Sequence, residues 1–229
     1  MTATNPYPDH VLVIPDGNRR YAKANNLPLR EAYRAGACRI TDMIEWVLKE
    51  YDTTQLTIHG LSYDNIAGRD MSEIEPIVSA IAAEFRKWVD DDVIHEERIR
   101  VKVLGENKGL PDGFQEAKEG IERATRRYRE KELDVLIGYN GRREIMHVLR
   151  KMRHKRVIDD SELLRHMWVK KPVDMVIRTS NTLRLSNCPL YQINYAEFAF
   201  IEKCFPALTH EDIAEVMEDY VLRERRYGK

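Results

Sequence analysis

Short apolar runs alternate with longer segments of helical periodicity along most of this 229-residue chain. Continuous apolar runs of roughly four to eight residues are typical of strands that are buried in a parallel sheet. The segments that fit such a strand are 11–14, 56–61, 133–137, 173–177 and 198–201, and 99–103, where apolar residues alternate with Arg100 and Lys102, fits a half-exposed strand. Apolar positions with helical spacing occupy 40–48, 74–88, 114–124, 145–152 and 209–220. This alternation predicts an α/β fold, a single domain over 1–229 with a mostly parallel sheet and helices on both faces.

Polar clusters follow four of the predicted strands directly, at 16–20, 62–65, 139–143 and 178–181. In a parallel sheet the ends of these strands meet at the carboxyl edge, where open α/β folds bind ligands. Surface loops are polar in any case, so one such cluster would carry little weight. Because three of the four contain arginine, we favour an anion site at this edge over solvated loops.

Asp16 and Gly17 directly precede a predicted helix start. A glycine lets the backbone approach a ligand, and the free N–H groups at a helix start attract phosphate. Asp16 adds a carboxylate, and Mg²⁺ typically bridges one or two carboxylates to substrate phosphates. The tripeptide Asp-Gly-Asn is common in ordinary turns, so this interpretation depends on the residues that lie further along the chain.

Arg178, Arg184 and Ser186 lie within nine residues, directly after a predicted strand. Guanidinium groups match phosphate oxygens in bidentate geometry, and a diphosphate has enough oxygens for two of them. The alternative is a pair of surface salt bridges. We favour diphosphate binding, because an arginine directly after an apolar strand usually points into a cleft.

Composition excludes several other classes of protein. The formal net charge of -1 gives no electrostatic footprint for nucleic acid. No apolar run approaches the roughly 20 residues of a membrane span, and the first ten residues lack the apolar core of a signal peptide. The three cysteines have no metal-ligand spacing and are interpreted as free thiols. We therefore expect a cytoplasmic protein without a membrane span or a nucleic-acid partner.

Several segments resemble the motifs of cis-prenyltransferases, the undecaprenyl and dehydrodolichyl diphosphate synthase family. The opening motif is similar to HVLVIPDGNRRYA at 10–22, and the middle motif to NGRREI at 140–145. The later motifs are similar to IRTS, RLSN and YQINYAE within 177–197, and to RYG at 226–228. These matches span almost the whole chain in the family's order, so the resemblance is specific.

The resemblance implies a Mg²⁺-dependent enzyme that joins two prenyl diphosphates and acts as a homodimer. Asp16 would hold Mg²⁺ and assist departure of the allylic diphosphate, and Glu197 would contribute to the metal site across the dimer interface. Ser62 and Asn65 would lie near the reacting carbons. Arg178, Arg184 and Ser186 would bind the diphosphate of the attacking substrate. The other implied substrate-binding residues are Gly17, Asn18, Arg19, Arg20, Tyr33, Arg69, Arg226 and Gly228.

Some positions depart from the family pattern. Tyr33 replaces the usual histidine beside the allylic diphosphate, and Leu29 replaces the usual arginine. Ile66 replaces the usual tryptophan, and the arginine that follows is displaced by one position, to Arg69. These departures favour a product of three isoprene units or fewer, made from dimethylallyl or geranyl diphosphate, with a head-to-middle branch of the lavandulyl type as one option. An ordinary head-to-tail, cis-elongating enzyme that uses isopentenyl diphosphate is the alternative.

Two other classes compete with an active prenyltransferase. A non-catalytic subunit of a prenyltransferase complex would keep the fold but lose active-site residues, and retention of Asp16, Arg178 and Glu197 argues against it. A phosphohydrolase with Asp16 as its nucleophile would need a second nearby aspartate, which the sequence around Asp16 lacks.

Overall fold

Parallel strands form one six-stranded sheet at the centre of the protein. The structure is a computed structural model that describes residues 5–155 and 159–224. The strands are β1 (His10–Ile14), β2 (Gln55–Ser62), β3 (Ile99–Leu104), β4 (Lys131–Tyr139), β5 (Met175–Arg178) and β6 (Glu197–Phe200). Their order is β3-β4-β2-β1-β5-β6, and every neighbouring pair is parallel. The predicted strands and the predicted α/β class are therefore confirmed.

Helices connect the strands, as the periodicity predicts. They are α1 (Asn18–Ala24), α2 (Leu29–Met43), α3 (Tyr63–Gly68), α4 (Met71–Trp88), α5 (Asp92–Glu96), α6 (Asp112–Thr125), α7 (Gly141–Met152), α8 (Asp160–His166) and α9 (His210–Leu222). A π-helical segment, Ile44–Lys49, continues α2, and a 3₁₀ turn, Phe205–Ala207, precedes α9. Thr209 and Asp212 form the capping box that the sequence indicates for α9.

The main apolar core lies on one face of the sheet. Val11 and Val13 of β1 point into it, whereas Leu12 and Ile14 pack on the other face, as strand alternation requires. Phe85 and Trp88 of α4 are fully buried in this core, and their ring centroids are 5.3 Å apart. Within 5–155 and 159–224, no helix combines the length and the apolarity that crossing a bilayer requires.

Strand register brings the predicted site residues to the same edge of the sheet. Ile14 of β1 is paired with Arg178 of β5, and Val13 is paired with Ile58 of β2. The segments that follow β1, β2 and β5 therefore start side by side at the carboxyl edge. This is the edge at which α/β folds of this type bind ligands.

Candidate active site

Two adjoining cavities open at the carboxyl edge of the sheet and share Asp16. The first cavity has a volume of about 270 Å³ and the second a volume of about 490 Å³. The predicted site residues that line the first cavity are Asp16, Gly17, Asn18, Arg19, Arg20, Tyr33, Asn65 and Arg69. Those that line the second cavity are Asp16, Ser62, Asn65, Arg69, Arg178, Arg184 and Ser186. Asn65 and the displaced Arg69 thus border both cavities, together with Asp16.

Asp16 is held between two arginines where the cavities meet. One oxygen, Oδ2, accepts a hydrogen bond from Arg178 Nη2 at 3.0 Å, and Oδ1 lies 3.2 Å from Arg20 Nη2. The Gly17 N–H donates to Oδ1 at 2.7 Å. Thr179 fixes the backbone of this segment, because its hydroxyl donates to the Asp16 carbonyl and accepts from the Asp16 N–H, each at 2.8 Å.

These contacts keep the Asp16 carboxylate ionised. Partial burial by itself would raise its pKa, but hydrogen bonds from Arg178 and from the Gly17 N–H outweigh burial, and the charge of Arg20 acts in the same direction. The net effect is a pKa below the usual value for aspartate. The Asp16 side chain is 31% exposed, and its negative charge therefore lies where the two cavities meet.

The first cavity forms around the start of α1. Gly17 has a φ of 101°, and a Cβ at this position would lie 2.6 Å from Ser180 Oγ, so a larger residue would displace the loop. Asn18 Oδ1 is buried and has no hydrogen-bond partner in the part of the chain that the structure describes. Gly36 of α2 makes room for Asn18, since a Cβ at Gly36 would lie 2.3 Å from that oxygen. Asn18 therefore packs closely against α2, and its unpaired oxygen is buried within the cavity wall.

The second cavity forms around Arg178, which is 3% exposed. Its guanidinium donates to Ser186 Oγ at 3.0 Å and to the Arg184 carbonyl, in addition to Asp16. Ser186 has a positive φ of 49°, an arrangement that turns the chain back toward Arg178. Ser186 and Arg184 therefore both accept hydrogen bonds from the Arg178 guanidinium, Ser186 through its Oγ and Arg184 through its backbone carbonyl.

Asp64 of α3 is hydrogen-bonded to two other segments of the chain beside the second cavity. Its Oδ2 accepts hydrogen bonds from Asn140 Nδ2 at 3.0 Å and from Asn187 Nδ2 at 3.1 Å. Ser62 caps α3, since its hydroxyl accepts the Asn65 N–H at 3.1 Å. This hydrogen bond from the Asn65 N–H is local, and it fixes the start of α3 and with it the position of Asn65.

Three of the four polar clusters line the two cavities, and the prediction for the cluster at 139–143 is only partly right. Asn140 caps α7 by accepting the N–H groups of Arg142 and Arg143. Both arginines therefore lie in the first turn of α7 and line a separate surface cavity of about 340 Å³. Arg143 is paired there with Glu106 at 2.6 and 2.8 Å.

Leu29 also lies away from the two cavities. It begins α2, is 45% exposed, and borders neither of them, so its difference from the family pattern does not reshape the site directly. Tyr33 lies one turn further along α2 and does line the first cavity. The predicted Arg226 and Gly228 lie outside the described residues.

Glu197 lies at the opposite end of the sheet from Asp16 within one chain. It begins β6 in register with Met175, which is itself paired with Val11. Asp16 lies five residues after Val11, about 16 Å further along the strand direction. Glu197 is instead paired with Arg223 Nη1 at 3.0 Å. It is therefore no partner of Asp16 in a metal site within this chain.

The site suits a metal ion that the substrate helps to bind. Among the residues at 5–155 and 159–224, no group of three or more His, Cys, Asp or Glu side chains is arranged to hold a metal. Asp16 is a single ionised carboxylate at the junction of two cationic cavities. This arrangement fits Mg²⁺, which needs one or two carboxylates and takes its other ligands from phosphates and water.

A small apolar cavity continues from the first cavity into the core. Its volume is about 40 Å³, and its apolar wall includes Ala37, Ile40, Ile77, Ile81 and Phe205. Sequence reasoning did not assign these residues to a site, because apolar positions on helical stripes are indistinguishable from core. Phe205 belongs to none of the sequence motifs described above.

Comparisons with known proteins identify the family of this chain. The Prenyltransf family model, described as "Putative undecaprenyl diphosphate synthase", matches residues 14–228. A tritrans,polycis-undecaprenyl-diphosphate synthase (geranylgeranyl-diphosphate specific) of Pyrobaculum aerophilum is 33% identical over 97% of this chain and 96% of its own length. The enzyme of the same name from Pyrococcus abyssi is 34% identical over 97% of this chain and 87% of its own length.

Solved structures show the same fold. Lavandulyl diphosphate synthase from Lavandula x intermedia, in complex with dimethylallyl diphosphate, superposes with a TM-score of 0.91 at 25% identity, over 99% of this chain and 100% of the other. A probable undecaprenyl diphosphate synthase from Campylobacter jejuni superposes with a TM-score of 0.80 at 24% identity, over 97% and 99%. The chain therefore belongs to the undecaprenyl diphosphate synthase family of cis-prenyltransferases, and it is a prenyltransferase.

Proposed function

We propose that this prenyltransferase couples an allylic prenyl diphosphate, dimethylallyl or geranyl, to a C5 prenyl diphosphate, and that its product is short. The observation that carries the proposal is the pair of cationic cavities that meet at Asp16. Each cavity has its own arginines, so each can hold one diphosphate. A site for two diphosphates suits coupling better than hydrolysis, which requires only one.

The first cavity would hold the allylic donor. The 17–20 loop would bind the donor's diphosphate through Arg19, Arg20 and backbone N–H groups. When the C–O bond of the donor breaks, the leaving diphosphate keeps the electron pair, and these cations stabilise the charge that develops on it. The apolar wall beyond Tyr33 would shield the allylic cation from water.

The second cavity would hold the C5 acceptor. Arg178, Arg184 and Ser186 would bind its diphosphate, and the acceptor's double bond would point toward Asn65 and Asp16. The π electrons of this double bond form the new C–C bond to the allylic carbon. The acceptor then gives up a proton to the departed diphosphate, and the electron pair of that C–H bond restores a double bond in the product.

Mg²⁺ is the cofactor that fits Asp16. When bound, it would neutralise charge on the departing diphosphate. Arg178 and Arg20 would orient the Asp16 carboxylate toward it, since each contacts one oxygen at about 3 Å in the structure.

The small apolar cavity supports a short product. At about 40 Å³ it has room for one or two water molecules. Ile77 and Ile81 of α4 line it, and a longer cavity along this helix would have to displace the fully buried Phe85 and Trp88. The opposing observation is that the archaeal relatives are named as undecaprenyl diphosphate synthases specific for geranylgeranyl diphosphate. Ordinary cis elongation is therefore the second candidate.

A branched carbon skeleton is a more specific form of the proposed short product. Ile66 of α3, in place of a larger tryptophan, is partly buried against the main core, and Arg69 borders both cavities. Selection between neighbouring carbons of the acceptor needs a shift of only about 1 Å, because reacting atoms must approach closely and in line. The likeness to lavandulyl diphosphate synthase also favours this option.

A second copy of the chain is the proposed partner. β6 is an edge strand, and Phe200 in it and Tyr195 just before it are exposed, as are Leu183 in the loop after β5 and Leu222 at the end of α9. A homodimer through this region would cover them and could bring Glu197 to the partner's site. Light scattering should then give twice the 26.9-kDa mass of one chain, and a monomer at micromolar concentration would contradict the dimer.

Incubation with labelled prenyl diphosphates tests the proposed reaction. We expect a coupled prenyl diphosphate from dimethylallyl or geranyl diphosphate with isopentenyl or dimethylallyl diphosphate as acceptor. EDTA should stop its formation and added Mg²⁺ should restore it. Absence of any reaction would favour a non-catalytic subunit, and release of phosphate without coupling would favour a phosphohydrolase.

A further inference from the structure

We propose that His59 of β2 is a further ligand of the acceptor's diphosphate in the second cavity. This inference rests on the proposed function, because it assumes that the second cavity holds the C5 prenyl diphosphate. His59 belongs to none of the motifs that identify the family. In the sequence it is a single histidine within an apolar strand, for which a place in the core is the usual interpretation.

The position of His59 places it in the wall of the second cavity. It lines this cavity together with Arg178, Arg184 and Ser186, and it is 7% exposed. The register of β1 and β2 continues past Val13 and Ile58, so His59 lies beside Ile14, which is paired with Arg178 on its other side. Side chains in one such row point to the same face of the sheet. His59 and Arg178 are therefore on the same face, two strands apart.

Both side chains have an unsatisfied nitrogen. His59 Nε2 and Arg178 Nε are buried and have no hydrogen-bond partner among the residues that the structure describes. Buried polar atoms are nearly always paired in folded proteins, so two unpaired nitrogens in one cavity wall need an explanation. Oxygens of a bound diphosphate would accept a hydrogen bond from each.

A purely structural histidine in this fold is paired differently. His10 of β1 is also buried, but its Nε2 lies 2.8 Å from Thr57 Oγ1 and its Nδ1 lies 3.0 Å from the Pro172 carbonyl. His59 has an aromatic contact with Tyr139, whose ring is perpendicular to it at 5.8 Å. That contact limits the orientation of the imidazole but leaves Nε2 without a partner.

The charge state of His59 is compatible with this role. Burial, and then the charge of Arg178, lower its pKa to about 4, and Asp64 opposes this shift only in part. The imidazole is therefore neutral near pH 7, and a neutral imidazole carries one N–H that can donate to a phosphate oxygen. A neutral donor also adds no further positive charge to a cavity that Arg69, Arg178 and Arg184 already line.

Kinetics of three variants test this inference. In His59→Phe, the KM for isopentenyl diphosphate should rise about 10- to 100-fold, the range for a lost hydrogen bond to a charged group. The KM for the allylic donor should change less than threefold. His59→Gln retains an N–H donor and should recover most of the affinity, and His10→Gln should leave both KM values unchanged. Equal KM values for wild type and His59→Phe would overturn the proposal.

Direct binding separates this inference from the proposed function. In calorimetry, His59→Phe should bind isopentenyl diphosphate about 10-fold or more weakly than wild type, whether or not the enzyme turns over. Equal affinity would overturn the role of His59 while leaving coupling intact. If His59→Phe does not fold, the wild-type protein labelled with ¹⁵N-histidine provides the test. The His59 Nε2 resonance should then move when isopentenyl diphosphate is added, and an unmoved resonance would contradict the proposal.

Discussion

Replacement of Asp16 by alanine is expected to lower kcat/KM for coupling by at least about 100-fold, the scale of losing a preorganised electrostatic contact at the reacting centre. Asp16 is the ionised carboxylate shared by both cavities, and both of its oxygens are oriented by arginines. Without it, Mg²⁺ would lose its protein ligand and the diphosphates would lose their fixed orientation. Single-turnover and steady-state rates at saturating Mg²⁺ measure the effect.

Two further variants test whether the loss of activity comes from the charge at this position. Asp16→Asn keeps the size of the side chain but removes its charge, so it should be nearly as impaired as Asp16→Ala. Asp42→Ala removes a carboxylate that is paired with Arg39 at 2.6 Å and borders neither cavity, so it should retain full activity. Thermal unfolding should show all three folded. More than about a tenth of wild-type activity in Asp16→Ala would rule out the assigned role.

Replacement of Arg178 by alanine is expected to raise the KM for the C5 acceptor about 10- to 100-fold, and to raise it more than the KM for the allylic donor. Arg178 is the buried guanidinium around which Ser186 and Arg184 are arranged. Asp16 would keep Arg20 as its partner, so the first cavity should lose less than the second. Initial rates with each substrate varied in turn give both KM values.

Arg143 is the matched control for Arg178. It also follows a strand at the carboxyl edge, but it is paired with Glu106 and lines neither cavity. Arg143→Ala should therefore leave both KM values within about twofold of wild type. Arg184→Ala should resemble Arg178→Ala, with less effect on folding because Arg184 is exposed. Equal effects of Arg178→Ala on both substrates would show that the two cavities are assigned in the wrong order.

Most of the sheet could be predicted from the sequence because buried parallel strands are continuous apolar runs, and β3 could be predicted from the alternation of apolar and charged residues. Those runs also fix the edge at which Asp16 and Arg178 lie, since Asp16 comes two residues after β1 and Arg178 is the last residue of β5. The short helices α3, α5 and α8 were not predicted. A helix of five to seven residues is too short to show an apolar stripe, and α3 depends on the cap that Ser62 provides.

The direction in which side chains leave the sheet edge was harder to predict. Arg142 and Arg143 follow β4 just as Arg178 ends β5, but the Asn140 cap begins a helix at once and turns both arginines away. The position of Glu197 depends on strand register, which the sequence does not specify. His59 was missed because its surroundings become visible only when β2, β1 and β5 are side by side. The small apolar cavity depends on the packing of α2 against α4.

The mass and skeleton of the product test the central claim most directly. The enzyme should be incubated with Mg²⁺, isopentenyl diphosphate and, in separate reactions, dimethylallyl, geranyl, farnesyl and geranylgeranyl diphosphate, and the dephosphorylated products analysed by mass spectrometry. The structure predicts coupling from the short donors, to a product of three isoprene units or fewer, because the apolar cavity beyond the proposed donor site has a volume of only about 40 Å³. A long, linear, all-cis chain built from farnesyl or geranylgeranyl diphosphate would contradict this account and identify an ordinary chain-elongating enzyme.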